Sequence, residues 1–333
     1  MVEGTEGSHH KEGSTKMGKS TTIAAGIDVS KAKLDIAVHG RAESWQVANT
    51  APGFAELVRL MRRHRVTRVG VEATGGYERD VVEHLRAAGF AVVVLQPIQV
   101  RAFAQFTLRR AKTDRIDAAL IAACVAHYAI TREPPDPRLA ALAERLTFIE
   151  QIEEDLARTK VRLEHVRDAD LRDVLLADLA RLKQRRATMI VKLLAAIRCH
   201  DDIATRLDLL TSIDGIANRT ALALLIRMPE LGRLSREEVA CLAGLAPFAH
   251  DTGQHRGQRH IAGGRRRVRT SLYAAALPAA FRWNQQLVVL YKRLRAAGKP
   301  HKVALVACTR KLLIFANTVL ARGTPWTKQP TIA

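Results

Sequence analysis

Apolar and polar residues along the first hundred positions follow a pattern that predicts a mixed sheet. Residues 22–48 contain three short strand-like runs, and the middle run alternates apolar with more polar side chains, as in a half-buried strand. Beyond them we predict a helix over 52–64, a strand at VTRVGVEA, a helix over 77–88 and a buried strand at FAVVVLQP. Three strands followed by alternating helix and strand form an α/β pattern. This order favours an RNase H-like fold for residues 22–135.

A long apolar stripe then dominates the chain. Residues 138–214 contain no Gly and no Pro, and Leu or Ile recurs every three, four or seven positions, with one polar break near 167–170. The pattern predicts two long helices that form an antiparallel hairpin or coiled coil over 138–205. A stripe this narrow usually pairs with another helix, so we expect these helices to join protomers into a dimer or tetramer. Packing against their own domain is the alternative.

The remaining segment, 206–326, predicts a mainly helical C-terminal domain. LTSIDGIANRTALALLIRMPEL resembles a helix-hairpin-helix element, in which Gly215 would form a tight turn whose backbone N–H groups face a phosphate. A plain helix–turn–helix connection is the alternative. A glycine-rich basic loop follows. From Arg265 the chain becomes helical again, with Val268, Leu272 and Ala275 on one face.

The net charge of the chain and its distribution indicate a binding partner. The chain of 333 residues has a formal net charge of +20, and after Asp251 it contains 16 Lys and Arg but no Asp or Glu. Such a one-sided basic face fits a polyanion, so we expect a nucleic acid, with a solvated basic surface as the alternative. The candidate phosphate contacts are Lys112, Arg115, Gly215, Arg256, Arg259, Arg265, Arg266, Arg267 and Arg269.

Cysteine usage and hydropathy indicate a cytoplasmic protein. The four cysteines are far apart and show no metal-ligand spacing, so we predict reduced core residues and no structural zinc. We find no apolar run of the ~20 residues that a membrane span needs, and expect no membrane association. Residues 1–21 are polar and rich in Gly and Ser, which predicts a disordered leader or tag.

Four carboxylates stand where phosphate chemistry would need them. Asp28 and Glu72 each close an apolar strand-like run, and Asp114 and Asp117 lie three apart in KTDRIDA, at the start of a helix-like stretch. Rigid strand ends and one helix face can together hold the oxygen cluster that Mg²⁺ prefers. Two such ions clamp the attacking and leaving oxygens of a phosphodiester. We therefore predict a Mg²⁺ site built from these four residues.

Other charged residues lie near the four carboxylates in the sequence, and we assign only some of them to the predicted site. Lys112 and Arg115 could hold phosphate oxygens beside the carboxylates. Any single acid is more simply an ordinary surface residue, and we expect that for Asp35, Glu43 and Glu78. The four together favour a site.

Three motifs in the first half carry a family resemblance. GIDVSKAKLDIAV, VGVEATGGYER and LRRAKTDRIDA resemble the RuvC-like domain of the DEDD transposases. That family includes the Piv-type DNA invertases and the insertion-sequence recombinases called the "IS one-ten" family. In the second half, LTSIDGIANRTA, AGLAPFAHDTG, GGRRRVRTSLYAAAL and KLLIFANTVL resemble its C-terminal transposase domain. The resemblance covers residues 22–326.

This resemblance implies a mechanism and partners. It implies that Asp28, Glu72, Asp114 and Asp117 bind metal, and that the protein moves or inverts a DNA segment. Donor and target double-stranded DNA would be chosen with a structured non-coding guide RNA. A C-terminal serine of the family attacks DNA and forms a phosphoserine link, at a site assembled between protomers. In this chain Thr252 stands at the serine position.

The threonine leaves several alternatives open. Its β-methyl stiffens χ1 and crowds the hydroxyl. Thr252 is therefore the native nucleophile, a weakened or inactive substitution, or a bystander while Ser271 or water does the chemistry. Two rival functions follow: a hydrolytic nuclease of the Holliday-junction type, and a non-catalytic nucleic-acid-binding protein. The chain has no GxxxxGK[ST] motif, which fits religation without ATP.

Overall fold

The computed structural model describes residues 23–108, 114–127, 136–248, 257 and 259–327. It divides into two compact units with the boundary between residues 134 and 135. The predicted segments 138–205 and 206–326 both fall within the second unit. The predicted leader, 1–21, lies outside the described residues.

The first unit contains a five-stranded mixed sheet in the order β3-β2-β1-β4-β5. β1 pairs antiparallel with β2 and parallel with β4; β2–β3 is antiparallel and β4–β5 parallel. The predicted mixed sheet is therefore confirmed. The strands are β1 (Ala24–Val29), β2 (Lys33–Val38), β3 (Ser44–Ala48), β4 (Arg68–Glu72) and β5 (Ala91–Leu95).

Helices cover both faces of this sheet. They are α1 (Ala51–Arg63), α2 (Arg79–Ala87), α3 (Pro97–Phe106) and α4 (Asp114–His127). The apolar faces of α1 and α2 pack on one side, where Leu57, Met61 and Leu85 meet Ile27. The helices α3 and α4 contribute to a second core cluster, around Leu95.

Burial of β2 differs from the prediction. The alternation predicted a half-buried strand, but Leu34–Val38 is buried at every position. Helix α4 packs against β2 as well as β1 and β4, so the face expected to be wet is covered. The strand predicted at FAVVVLQP also ends earlier, at Leu95, because Pro97 occupies the first turn of α3, where its missing N–H costs nothing.

In the described part of the second unit, helices are joined by one two-residue strand pair, β6 (Pro247–Phe248) with β7 (His260–Ile261). A π-helical turn, Ala279–Trp283, separates two of the helices. The helices are α5 (Pro137–His165), α6 (Ala169–Arg198), α7 (Asp201–Thr211), α8 (Asn218–Arg227), α9 (Arg236–Leu242), α10 (Arg266–Pro278), α11 (Gln285–Ala296) and α12 (His301–Arg322).

The two predicted long helices are α5 and α6, which pack along each other. Asp168 caps the start of α6 by accepting a hydrogen bond from the backbone N–H of Leu171. The roots of both helices, around Leu146 and Leu193, belong to the core of the second unit. Their pairing between protomers stays a prediction.

The helix α12 is long and apolar enough to cross a membrane by length and composition, with a mean hydropathy of 1.6 over its most apolar window. Our expectation that no such run exists is therefore wrong. In the structure Leu305, Leu312 and Val319 are buried in the core of the second unit. The apolar character of α12 is thus explained by packing within the protein.

The cysteine prediction is wrong for two of four residues. Cys124 and Cys308 are buried, whereas Cys199 and Cys241 are exposed. Burial raises the pKa of the Cys124 thiol, and raises that of Cys308 to about 11. Only the first pair are core residues.

Candidate active site

Two glycines allow α4 to lie directly on the sheet. A Cβ at Gly26 would lie 2.2 Å from the carbonyl oxygen of Ala118 and 2.2 Å from the nitrogen of Ala122. A Cβ at Gly70 would lie 2.3 Å from Cγ2 of Val125. Glycine in a strand often marks such a close approach of another backbone. The contact fixes α4 against β1 and β4.

The direction of α4 places its first turn at the carboxyl ends of these strands. Ala118 lies against the middle of β1. At the other end of α4, the ring of His127 lies 5.8 Å from that of His39, whose backbone N–H donates to Ala24 at the start of β1. Helix and strand therefore run in opposite directions. The N-terminus of α4, at Asp114, points toward the end of β1.

Three of the predicted carboxylates share this edge. Residues two apart on a strand face the same side, so Asp28 shares the side of Gly26, and Glu72 the side of Gly70. The two strands are adjacent and parallel. Asp117, half-buried, lies in the first turn of the helix that covers this side. The geometry brings Asp28, Glu72 and Asp117 to one end of one sheet face.

No group of three Asp, Glu, His or Cys side chains able to hold a metal ion occurs among the residues that the structure describes. The side chains of Asp114 and Arg115, and all of Lys112, lie outside that part of the chain. Carboxylate oxygens are nevertheless the donors that Mg²⁺ prefers. The four-residue site stays a prediction, and the shared edge supports it.

Asp35 is a neighbour that our sequence analysis dismissed. It lies directly opposite Asp28 in the β1–β2 ladder, so the two side chains share a face. Only 8% of Asp35 is exposed, and its carboxylate accepts a 2.7 Å hydrogen bond from Gln46 and pairs with Lys33 at 3.2 Å. The surface expectation for Asp35 is therefore wrong. The same expectation is confirmed for Glu43, whose side chain is exposed.

Most of the arginines at the start of α10 have partners inside the second unit. Arg265 forms two hydrogen bonds with Glu230, at 2.5 and 2.8 Å, and Arg267 binds the buried carboxylate of Glu150 at 2.5 Å. Arg269 donates to three backbone carbonyl oxygens at 2.7–3.3 Å. These three side chains hold the fold together, which weakens their case as phosphate contacts.

The other candidate phosphate contacts and nucleophiles are more accessible or lie outside the described residues. Arg266 and Arg259 are exposed, and no carboxylate in the described ranges pairs with either. Ser271 is half-buried in α10. Thr252 and Arg256 lie outside the described residues. All of these phosphate contacts stay predictions, and among the described side chains Arg266 and Arg259 are the most accessible candidates.

The backbone conformation and the packing at position 215 require a glycine. It lies between α7 and α8 with φ +102°, a conformation that favours glycine. A Cβ there would lie 2.4 Å from the Cβ of Ala279. The helix–turn–helix connection is present, while its contact with a phosphate stays a prediction.

A charged cluster joins α5, α6 and α8. Glu153 accepts hydrogen bonds from Arg186 at 2.7 Å and from Arg219 at 2.7–3.2 Å, and Glu150 accepts one from Arg227 at 2.6 Å. Burial alone would raise the pKa of Glu153, but the hydrogen bonds and charges of the two arginines outweigh it, so the pKa is lowered. Two carboxylates of α5 thus bind arginines of α6 and α8 and hold the three helices together.

Two family models match the chain. A DEDD transposase model of the IS110 type, described as "Transposase", matches residues 25–169. A second, described as "Transposase IS116/IS110/IS902 family", matches residues 207–292. The matches assign the protein to the DNA transposases, which are DNA recombinases. Within them, the chain belongs to the DEDD transposases of the IS116/IS110/IS902 family.

Similar proteins agree with this assignment. The pilin gene-inverting proteins of Moraxella lacunata and Moraxella bovis are each 24% identical over 321 residues, covering 91% of this chain and 97% of theirs. The predicted resemblance to Piv-type invertases is therefore confirmed. Solved structures give weaker matches. T. thermophilus RuvC with a Holliday junction is 21% identical with a TM-score of 0.27, covering 32% of this chain and 94% of that one. A second Thermus thermophilus RuvC structure is 20% identical with a TM-score of 0.23, covering 34% and 84%.

Proposed function

We propose that this transposase cleaves and rejoins DNA strands with Mg²⁺ held by Asp28, Glu72, Asp114 and Asp117. The observation that carries the proposal is the contact of α4 with β1, which brings three of the four carboxylates to one edge of the sheet. Two strand ends and a helix whose backbone lies directly against Gly26 of β1 make a rigid base. Rigidity matters because a misplacement of about 1 Å can cost about 10²-fold in rate.

Each part of the site has a separate task. Bound Mg²⁺ would neutralise charge on the phosphate and so ease attack. Asp35 would hold its place beside Asp28 through Gln46 and Lys33, and would add negative charge next to the metal ligands. The helix N-terminus at Asp114 favours anionic side chains and phosphate oxygens.

Thr252 supplies the attacking hydroxyl in this proposal. Its support is its place in the sequence, where the family carries a serine. Attack exchanges a DNA phosphoester for a threonine phosphoester, and rejoining reverses the exchange, so no ATP is consumed. Activation of the hydroxyl by a base or a metal is required.

The proposed partners are donor and target double-stranded DNA, a structured non-coding guide RNA and further copies of the chain. The +20 charge supports the nucleic acids. Exposed Val161, Leu171 and Val174 near the tip of the α5–α6 hairpin support association through the long helices. The family resemblance supports the guide RNA and a cytoplasmic location.

A suicide DNA substrate that traps a protein–DNA adduct tests the mechanism. We expect a Mg²⁺-dependent adduct with the wild type and with Thr252→Ser, none with Thr252→Ala, and no cleavage with Asp28→Asn. Ser271→Ala serves as the matched hydroxyl control and should behave as the wild type.

Two outcomes would redirect the assignment. Cleavage that survives Thr252→Ala but not Asp28→Asn favours the hydrolytic nuclease. Tight, salt-sensitive DNA binding with no Mg²⁺-dependent product favours the non-catalytic alternative.

A further inference from the structure

The π-helical turn between α10 and α11 is an unusual feature of the second unit. The backbone N–H of Asn284 bonds to the carbonyl oxygen of Ala279 at 3.0 Å, five residues back, which widens the helix after Pro278. Such turns are rare and frequently occur at functional sites. The side chain of Asn284 is buried and donates to the carbonyl oxygen of Asp214 at 3.0 Å. The turn is therefore firmly anchored.

Large side chains on this turn face solvent. Phe281 is 49% exposed and Trp283 is 56% exposed, with the exposed Arg282 between them. Buried Trp and Phe contribute much to stability, so their exposure on an anchored turn is informative. An aromatic–arginine–aromatic sequence offers two flat faces and one cation. This combination suits a ligand that alternates flat rings with negative charge.

Phe281 is held in place before any ligand arrives. Its ring lies 5.0 Å from the ring of Tyr291, at a steep angle, and is stacked at 6.1 Å on that of His301. A 2.7 Å hydrogen bond joins the Tyr291 hydroxyl to Nδ1 of His301. A ring fixed in this way loses little conformational freedom on binding, which favours affinity.

Exposed cations adjoin the residues that hold the turn. Lys292 and Lys302 are exposed and directly follow Tyr291 and His301 in the chain. No Asp or Glu follows Asp251 in the sequence. Alternating bases and phosphates match this surface better than an apolar protein face does.

We propose that the turn Phe281–Trp283 binds an unpaired segment of a DNA strand. Phe281 and Trp283 stack on bases, while Arg282 and the two lysines bind the flanking phosphates. DNA is favoured because this family recombines DNA, and strand exchange exposes unpaired nucleotides. The inference deepens the proposed function, since it names the strand that the second unit would hold, but it does not depend on the nucleophile.

Intrinsic fluorescence tests the proposal on the full chain. With Mg²⁺ absent, an oligo(dT) of 12 nucleotides should quench the fluorescence of the exposed Trp283, because a base stacks on its indole ring. Trp283→Phe should remove the quenching and keep most of the affinity, measured by anisotropy of a labelled oligo(dT). Trp283→Ala and Phe281→Ala should each weaken binding roughly 5- to 100-fold, since stacking typically contributes that much per base.

Matched controls separate stacking from charge and from folding. Val289→Ala removes an exposed apolar side chain from α11 in the same unit, and should leave oligo(dT) affinity unchanged. Affinity for duplex DNA should change less than twofold in Trp283→Ala, because a base within a duplex offers no free face. Because Trp283 is exposed, its removal should leave the urea midpoint unchanged.

Several results would overturn the inference. Unchanged oligo(dT) affinity in Trp283→Ala would do so, as would an equal loss on duplex DNA. Tighter binding of oligo(U) than of oligo(dT) would move the site to RNA. A change of oligomeric state in Trp283→Ala with oligo(dT) binding intact would make the turn a protein interface. Cleavage that survives Asp28→Asn would contradict only the proposed function, so the two proposals can fail separately.

Discussion

Replacing Gly26 with alanine tests whether α4 must touch β1. The new methyl would lie 2.2 Å from two backbone atoms of α4, at Ala118 and Ala122. Real Cβ contacts essentially never fall below 3.0 Å, so helix or strand has to retreat by about 0.8 Å. Backbone atoms cannot rotate away as a side chain can. The strain should therefore reach the upper part of the usual range for overpacking, about 3 kcal/mol or more.

One opposing effect reduces this value. Alanine restricts the unfolded chain more than glycine does, which stabilises by about 0.4–1 kcal/mol. The net loss for Gly26→Ala should be about 2–3 kcal/mol. Gly70→Ala is the comparison variant, because its nearest neighbours are side-chain atoms of Val125 and Ile121, which are buried and β-branched but yield more readily than backbone atoms do. We expect it to cost no more than about 1–2 kcal/mol.

Urea unfolding of the two variants measures the difference, and DNA cleavage under native conditions measures its effect on the site. A retreat of about 0.8 Å would displace Asp117 from Asp28 and lower the cleavage rate of Gly26→Ala roughly 10²-fold. If Gly26→Ala is as stable as Gly70→Ala, the backbone contact does not hold the helix, and our account of the site is wrong.

Four other features lead to predictions. Asp35→Asn should raise the Mg²⁺ concentration needed for cleavage roughly 3- to 10-fold, because a negative charge beside Asp28 is lost; an unchanged requirement would contradict its place next to the metal. The two exposed cysteines should react rapidly with Ellman's reagent, while the buried pair should react only on unfolding, and four fast thiols would refute the burial. The fold lowers the pKa of Glu153, so this carboxylate stabilises the folded state fully above its unfolded pKa of about 4.3, and the stabilisation is lost as pH falls through the folded pKa. In Glu153→Gln the free energy of unfolding should therefore fall less steeply with decreasing pH in this acidic range. Arg266→Ala should reduce the salt slope of DNA binding by about 1 without changing stability, whereas Arg267→Ala should lower the urea midpoint because it leaves buried Glu150 with fewer partners.

Local sequence patterns were sufficient for most of the elements, and they singled out two strand ends as candidate positions of the site. Alternating side chains marked the strands, and the Gly- and Pro-free stretch marked α5 and α6. Asp28 and Glu72 became candidates because each ends an apolar run. The same patterns failed for Asp35, since alternation cannot show that a helix covers the second face of β2.

Long-range contacts explain what the sequence patterns could not show. The arginines of α10 looked like a phosphate-binding cluster because the sequence shows charges and not their partners. Glu230 and Glu150, which pair with Arg265 and Arg267, lie 35 and 117 residues away along the chain. Periodicity likewise could not distinguish exposed Cys199 from buried Cys308, since both sit in helical surroundings.

The rooting of the long hairpin in the core has a mechanical consequence. The carboxylates Glu150 and Glu153 clamp the middle of α5 to α8, and the 12 residues from there to the end of the helix extend roughly 18 Å. A tilt of about 10° at that clamp would swing the far tip by roughly 3 Å. A partner bound at the tip would therefore tilt α5 against α8, so that a distant binding event could move the helices of the second unit.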